Sequence, residues 1–426
     1  MRLLSIRGVP RTTSYDLVLV VVVLALTLLG IAMVYSASGI KAADALDDPR
    51  YFLGWQSLWA ALGLVGMLAA TRFDYHRYRV LSLPLLVVAI ALLAAVLVPG
   101  IGTNVNGASR WLRAGSVGLQ PGEFAKLALI LYLAAWLGAR RDRITSPGVM
   151  VGVLVVTAIF TGLIFLEPDL GTAIVIGMIA LVMYFAAGAR LRVFAALGSL
   201  AVVLALAAGL SSAYRLQRIT TFLDPWSDPR AAGYQAIQSL YGLALGGLFG
   251  EGLGAGREKF GYLPYPYTDS IFAILGDELG LAGTLAVIAL FLVLGYRGVR
   301  IALRAPDAMG SLIATGITTW LVLQAWVNMA VVASLLPMTG ITLPFISYGG
   351  SSLCVGLIAV GILLNVGQQG RGCAPADPQA RALPSAPRRR RDGRARQPSA
   401  RDRGSVTRDR SRGGIPLPRW ATRERG

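Results

Sequence analysis

The chain has 426 residues, 55% of them hydrophobic and 15% charged, with a mean hydropathy of +0.62 and a formal net charge of +18. That composition excludes an ordinary soluble protein and predicts an integral membrane protein. Two cysteines, Cys354 and Cys373, and one histidine, His76, exclude a disulfide framework and lack metal-ligand spacing.

Arg2, Arg7 and Arg11 precede the first apolar window, and no small-residue cleavage site follows it. Residues 1–14 are therefore read as a cytoplasmic N-terminus ahead of a retained helix. Windows of about 20 apolar residues fall at 15–37, 53–70, 80–98, 123–139, 148–166, 170–187, 191–211, 270–296, 310–335 and 342–366. The prediction is an all-α membrane body of about ten transmembrane helices over 15–367. Alternate loops carry Arg72, Arg77 and Arg79, then Arg140, Arg141 and Arg143, then Arg190 and Arg192, then Arg297, Arg300 and Arg304. The positive-inside rule places these in the cytoplasm, with both termini. Loops 38–52, 99–122, 167–169, 212–269 and 336–341 then face outward.

Nearly all unusual polar residues fall on that outer side. Loop 99–122 carries Arg110, Trp111 and Arg113, and Gln120, Glu123 and Lys126 follow at the start of the fourth span. Glu123 and Lys126 are three apart and share one helix face. They read either as a helix-stabilising ion pair or as a pair in a polar cavity, with Lys126 meeting phosphate and Glu123 orienting it. The next outer corner is EPDLGT, residues 167–172. The large loop 212–269 carries Arg215, Arg218, Arg230, Arg257 and Lys259, against the usual scarcity of outer cations. These either bind an anion, for which the guanidinium fork suits phosphate, or pair with Asp224, Asp228, Glu251 and Glu258. Glycines at 242, 246, 250 and 254 predict a packing and flexibility element, since no strand precedes them and no Gly-Lys-Ser/Thr follows.

The stretch YTDSIFAILGDELG places Thr268 or Asp269 as N-cap of the eighth span. Asp277 and Glu278 follow on different helix faces, so the three acids do not form one carboxylate cluster. Ionisable groups at such a position read as functional when the segment spans a membrane.

Beyond about residue 368 the chain becomes rich in Arg, Pro, Ser and Gly, with 16 Arg against five acids counted from Arg371. A disordered basic cytoplasmic tail is predicted over 368–426. It lies near anionic lipid headgroups or docks a cytoplasmic partner. No nucleic-acid partner is expected, because no folded reader module accompanies the charge. No nucleotide loop, zinc motif or redox signature is present. A reaction here must draw on an activated substrate or an ion gradient.

The motifs GASRWLRAGSVGLQPGEFAK, EPDLGT, DPWSDPRAAGYQAIQSL, YTDSIFAILGDELG and LPFISYGGSS, in this order, resemble the SEDS family (shape, elongation, division and sporulation). These are ten-helix peptidoglycan glycosyltransferases that include FtsW and RodA. The similarity runs from the first span to about residue 367, and GEGLGAGREKFGYLP and FLDPWSDP look more like FtsW than RodA. The resemblance implies polymerisation of lipid II, an undecaprenyl-pyrophosphate-linked disaccharide pentapeptide, into a growing glycan chain. It places the reaction on the outer face of the bacterial cytoplasmic membrane, at the division septum. It further implies a class B penicillin-binding protein transpeptidase and other division proteins as partners. Asp269 matches the family's essential acid. Glu123 and Lys126 match cavity residues, as do Arg110, Gln235, Gln238 and Ser351. Trp111, Arg218 and Lys259 complete the candidate substrate-binding set. The sequence names no metal ligand, and a magnesium or manganese requirement stays open. The chain departs from the family pattern at Tyr265 for Glu, Tyr267 for His and Ser270 for Phe. Two other readings remain open, a transporter of lipid-linked precursors and a division scaffold without catalysis.

Overall fold

The computed structural model describes residues 15–105, 108–114 and 117–372, and the side chain of Arg215 lies outside that set. The chain divides into a unit Met1–Ala374 and a second, Pro375–Gly426, which falls wholly outside the described residues together with the expected N-terminal segment 1–14.

A long apolar run with a capping acid before it makes the first helix. Asp16 accepts from the Leu19 N–H at 3.2 Å and starts α1, Leu17–Leu46, which ends at Asp47 in the left-handed conformation. α2, Tyr51–Arg72, returns to a turn at Asp74, and α3, Tyr78–Val96, follows. The outer loop then folds as a small antiparallel sheet: β1, Gly102–Val105; β2, Ala108–Ala114; β3, Val117–Leu119. Trp111 pairs with Thr103 across this sheet and lies over Gly118. Pro121, a suitable first-turn residue, opens α4, Pro121–Gly138. α5 is Pro147–Leu166, and α6, Leu170–Ala186, is capped by Asp169 accepting from Thr172 N–H at 3.1 Å. α7 is Leu191–Leu210. Loop 212–269 contains two helices, the amphipathic α8, Ala213–Leu223, and α9, Tyr234–Leu245. α10, Ile271–Arg304, α11, Ala308–Val332, and α12, Gly350–Gly372, complete the unit.

Each of the ten predicted windows overlaps one helix. Eight helices are long and apolar enough to cross a membrane, so the chain is a multi-pass membrane protein. The other two, α4 and α6, have 18 and 17 residues and sit inside the bundle. The spans of α11 and α12 are 67% and 72% buried, whereas that of α7 is 6% buried, which puts α7 at the periphery. An apolar groove of about 520 Å³ runs between α5, α6 and α7, lined by Val153, Ala173, Ile174 and Leu204 among others. α2 and α12 approach closely through small residues: a Cβ at Gly361 would collide with the Met67 carbonyl.

The eighth span differs from its prediction. Gly280 has φ 65° and ψ −163°, a region open only to glycine, and divides α10. The glycine-rich loop after α9 closes the break. Leu281 and Ala282 N–H donate to the carbonyls of Gly247 and Leu248 at 2.9 and 3.0 Å. Glu251 and Gly252 N–H donate to those of Asp277 and Glu278 at 3.0 and 3.1 Å. Non-helical backbone at membrane depth is tolerated when protein satisfies its polar groups, as here. The window at 342–366 also shortens, because residues 342–349 form a loop ahead of α12.

Candidate functional site

The five loops predicted to lie outward meet at one end of the bundle. Asp269 stands in loop 246–270 just before α10, whose N-cap position is Ser270 and carries no side-chain cap bond. The expectation that Thr268 or Asp269 caps the helix is thus corrected. The half-buried Asp269 carboxylate accepts from Thr268 Oγ1 at 3.1 Å, from its own backbone N–H and from Gln235 of α9. Gln235 also donates to Ser270 Oγ at 3.0 Å. Burial pushes the Asp269 carboxyl above its ordinary range; these hydrogen bonds and the Arg218 charge pull the other way. Arg218 of α8 donates to the Met338 carbonyl at 3.0 Å, and with Gln235 it lines a cavity of about 180 Å³. Gln238, three residues after Gln235, is half-exposed on the same side of α9.

A buried stripe on α11 connects this acid to the Glu123–Lys126 pair. Lys126 Nζ lies 2.8 Å from Glu123 Oε1, with the residues 1% and 3% exposed. The pair is therefore an internal one and not a solvent-facing helix brace. Lys126 also donates to Gln324 Oε1 and stands 5.0 Å from the Trp320 ring centroid. Trp320 Nε1 donates to the same Gln324 oxygen at 2.7 Å, and Gln324 Nε2 donates to the Thr342 carbonyl at 3.0 Å. One turn further, Asn328 Nδ2 donates to the Asp269 carbonyl at 2.8 Å and to that of Ile341 at 2.7 Å. Trp320, Gln324 and Asn328 were hidden inside a window read as apolar; their four-residue spacing was the signal that could have found them.

Arg110 of β2 reaches the EPDLGT corner, donating to the Glu167 and Pro168 carbonyls, with Nε 3.9 Å from Asp169 Oδ2. Burial pushes the Glu167 carboxyl up to about 8, with the Asp169 charge adding and Arg110 opposing. Ser351 is buried at the start of α12 and accepts from the Gln120 N–H at 3.2 Å, tying β3 to that helix.

Lys259 stands in a different group. Its Nζ is 2.8 Å from Glu278 Oε1 and 3.0 Å from Ser36 Oγ of α1. Asp277 accepts from the Glu258 N–H at 3.2 Å, so Asp269, Asp277 and Glu278 do take separate partners. Of the predicted outer salt bridges, Arg257–Glu251 forms at 3.5 Å, while Lys259 takes Glu278 instead of Glu258. Among the described residues no group of three or more His, Cys, Asp and Glu side chains is arranged to hold a metal ion.

A sequence model of the FtsW/RodA/SpoVE cell cycle proteins matches residues 16–372. The chain is 46% identical over 358 residues to the probable peptidoglycan glycosyltransferase FtsW of Trichlorobacter lovleyi, covering 84% of this chain and 94% of that one. It is likewise 46% identical over 363 residues to stage V sporulation protein E of Bacillus subtilis, covering 85% and 99%. Among solved structures, one described as the structural coordination of polymerization and crosslinking by a peptidoglycan synthase complex superposes with a TM-score of 0.69 at 31% identity, covering 84% of this chain and 99% of that one. The rod shape determining protein RodA of Thermus thermophilus superposes with a TM-score of 0.63 at 29% identity, covering 84% and 98%.

Proposed function

The chain belongs to the FtsW/RodA/SpoVE family and is a peptidoglycan glycosyltransferase; on that premise we propose that it polymerises lipid II on the outer face of the cytoplasmic membrane during cell division. The observation that carries this reading is the meeting of the half-buried Asp269 carboxylate with Gln235 and Arg218 beside the 180 Å³ cavity.

In the proposed reaction a sugar hydroxyl of one substrate attacks the anomeric carbon of the other. A carbon–oxygen bond forms there as the bond to the diphosphate breaks, and undecaprenyl diphosphate leaves with the electron pair. Asp269 takes the hydroxyl proton as general base. Its raised pKa makes it a stronger base than an aspartate in water. Arg218, whose charge acts on the Asp269 carboxylate, and Lys126, linked to the Asp269 backbone through Gln324 and Asn328 of α11, supply preorganised positive charge that stabilises the departing diphosphate. Glu123 and Gln324 hold Lys126, and Asn328 holds the backbone of Asp269. Arg110 ties the β-sheet to the 167–169 corner, and Ser351 ties the residue after it to α12.

The FtsW names of the relatives support a division role. The synthase-complex structure supports a transpeptidase of the class B penicillin-binding type as partner. Purified protein, with and without such a partner, is to be supplied with lipid II and the products separated by length. Glycan chains are the expected product; none in either case refutes the polymerase reading. Placement of the site outside the cell is checked by thiol labelling. A cysteine at Ser227 should react in intact cells, and Cys373 only after the cells are opened.

A further inference from the structure

Lys41 stands at the outer end of α1, just beyond the apolar stretch Leu17–Gly39, and its side chain is exposed. Its ammonium lies 5.7 Å from the ring centroid of Tyr265 and 5.7 Å from that of Tyr267, within cation–π reach of both. A lysine stem on a membrane protein's rim normally samples many rotamers. Two aromatic faces confine this one.

One of the two rings is itself held. Tyr267 packs against Phe52 with ring centroids 4.7 Å apart and planes tilted by 35°, meets Tyr348 edge-on at 5.9 Å, and its carbonyl accepts from the Tyr348 N–H at 2.8 Å. Among the described residues the partners of Lys41 are these two rings, with no carboxylate paired to it, so its full charge stays available to an anion. The sequence reading passed over Lys41, because nothing in its neighbourhood along the chain shows the two tyrosines.

We infer that Lys41 binds the diphosphate of the lipid-linked substrate, with Tyr265 and Tyr267 setting where its ammonium points and Asp269 acting at the sugar end. The inference rests on the polymerase reading above. A diphosphate joining a polyprenyl chain to a sugar sits at headgroup level, which is where α1 leaves its apolar stretch. Asp269 follows Tyr267 by two residues in the same loop. The diphosphate is charged before the glycosidic bond breaks as well as during it, so a cation bound to it stabilises substrate and transition state alike. Loss of that cation therefore raises KM and leaves kcat in place. Anionic phospholipid headgroups offer the same phosphate chemistry, and the test must separate the two.

The full chain is placed in discs of phosphatidylcholine alone and of phosphatidylcholine with phosphatidylglycerol. Lys41→Met is expected to raise the KM for lipid II about tenfold in both, with kcat within about twofold. Lys41→Arg restores KM to within about threefold, and Tyr265→Leu, which removes one ring, falls between. An unchanged KM in neutral discs, a drop in kcat alone, or an effect seen only with phosphatidylglycerol overturns the inference. Binding of undecaprenyl diphosphate, read by tryptophan fluorescence, is measured alongside. Binding about tenfold weaker in Lys41→Met supports the inference and equal binding overturns it, whether or not polymer forms. A wild-type chain that binds the diphosphate lipid but makes no polymer counts against the polymerase reading alone.

Discussion

The Asn328 side-chain amide donates to the backbone carbonyl of Asp269 at 2.8 Å, so α11 holds the main chain of this acid while its carboxylate is left to Thr268 and Gln235. Backbone placement and side-chain chemistry are thereby separated. Asp269→Asn keeps the shape and the backbone anchor but loses the proton acceptor. It is expected to fold, to bind lipid II and to lose about 10²–10⁴-fold in polymerisation rate. Wild-type rate in a folded Asp269→Asn protein, measured by glycan product formation, removes Asp269 from the chemistry.

The pH dependence of kcat follows from the same carboxyl. Burial raises its pKa above the ordinary 3.8 in the folded chain, and the base works only when ionised, so activity falls as pH drops through the raised value. The acid limb of the kcat profile is expected above the usual aspartate range. Gln235 and Arg218 both favour the ionised form, so Gln235→Leu and Arg218→Met should each move the limb to still higher pH. A limb that stays put in both variants assigns it to another group.

Lys126 and Glu123 form a buried pair, and removing one partner strands the other's charge. Breaking such a pair typically costs about 3–5 kcal/mol. Lys126→Met is expected to lower thermal stability markedly, and Glu123→Gln on that background to recover part of it. Activity should stay low in the double variant. Recovery of polymerisation together with stability would leave the pair a structural role only.

Gly280 is the strained point of α10. An added Cβ would meet the backbone of Gly250, Leu248 and Phe249, in a conformation that no other residue adopts readily. Gly280→Ala is expected to cost at least about 1–3 kcal/mol. The same change at Gly39, where a Cβ meets nothing within 4 Å, serves as the mild control. Comparable melting of the two variants in detergent would show that the break is not held rigidly.

The membrane body was legible because long apolar runs need no tertiary context to be read, and all ten windows carry helices. Asp269, Glu123, Lys126 and Arg110 were legible as polar residues at the ends of such runs. Windows average over single residues, which concealed Gln324 and Asn328 in α11. The break at Gly280 was not legible, because its hydrogen bonds come from Gly247, Leu248, Glu251 and Gly252, a loop that sequence presents only as glycine-rich. The pairing of Lys259 with Glu278 depends on that same turn of the chain. The helices α8 and α9 were missed because amphipathic segments of 11 and 12 residues are neither long and apolar enough for a span nor irregular enough for a loop.

The modest length of α4 bears on how the protein is made. This helix has 18 residues and carries Glu123 and Lys126 in its first two turns, where a lone helix would have to set their charges against lipid headgroups or water. Gln324, which shares the Lys126 charge, lies 198 residues later in the chain. As synthesis proceeds, α4 must wait beside earlier helices while more than half of the membrane body is still to be translated. The polar centre closes only when α11 arrives, so a nascent chain stalled before that helix leaves Lys126 without its Gln324 partner.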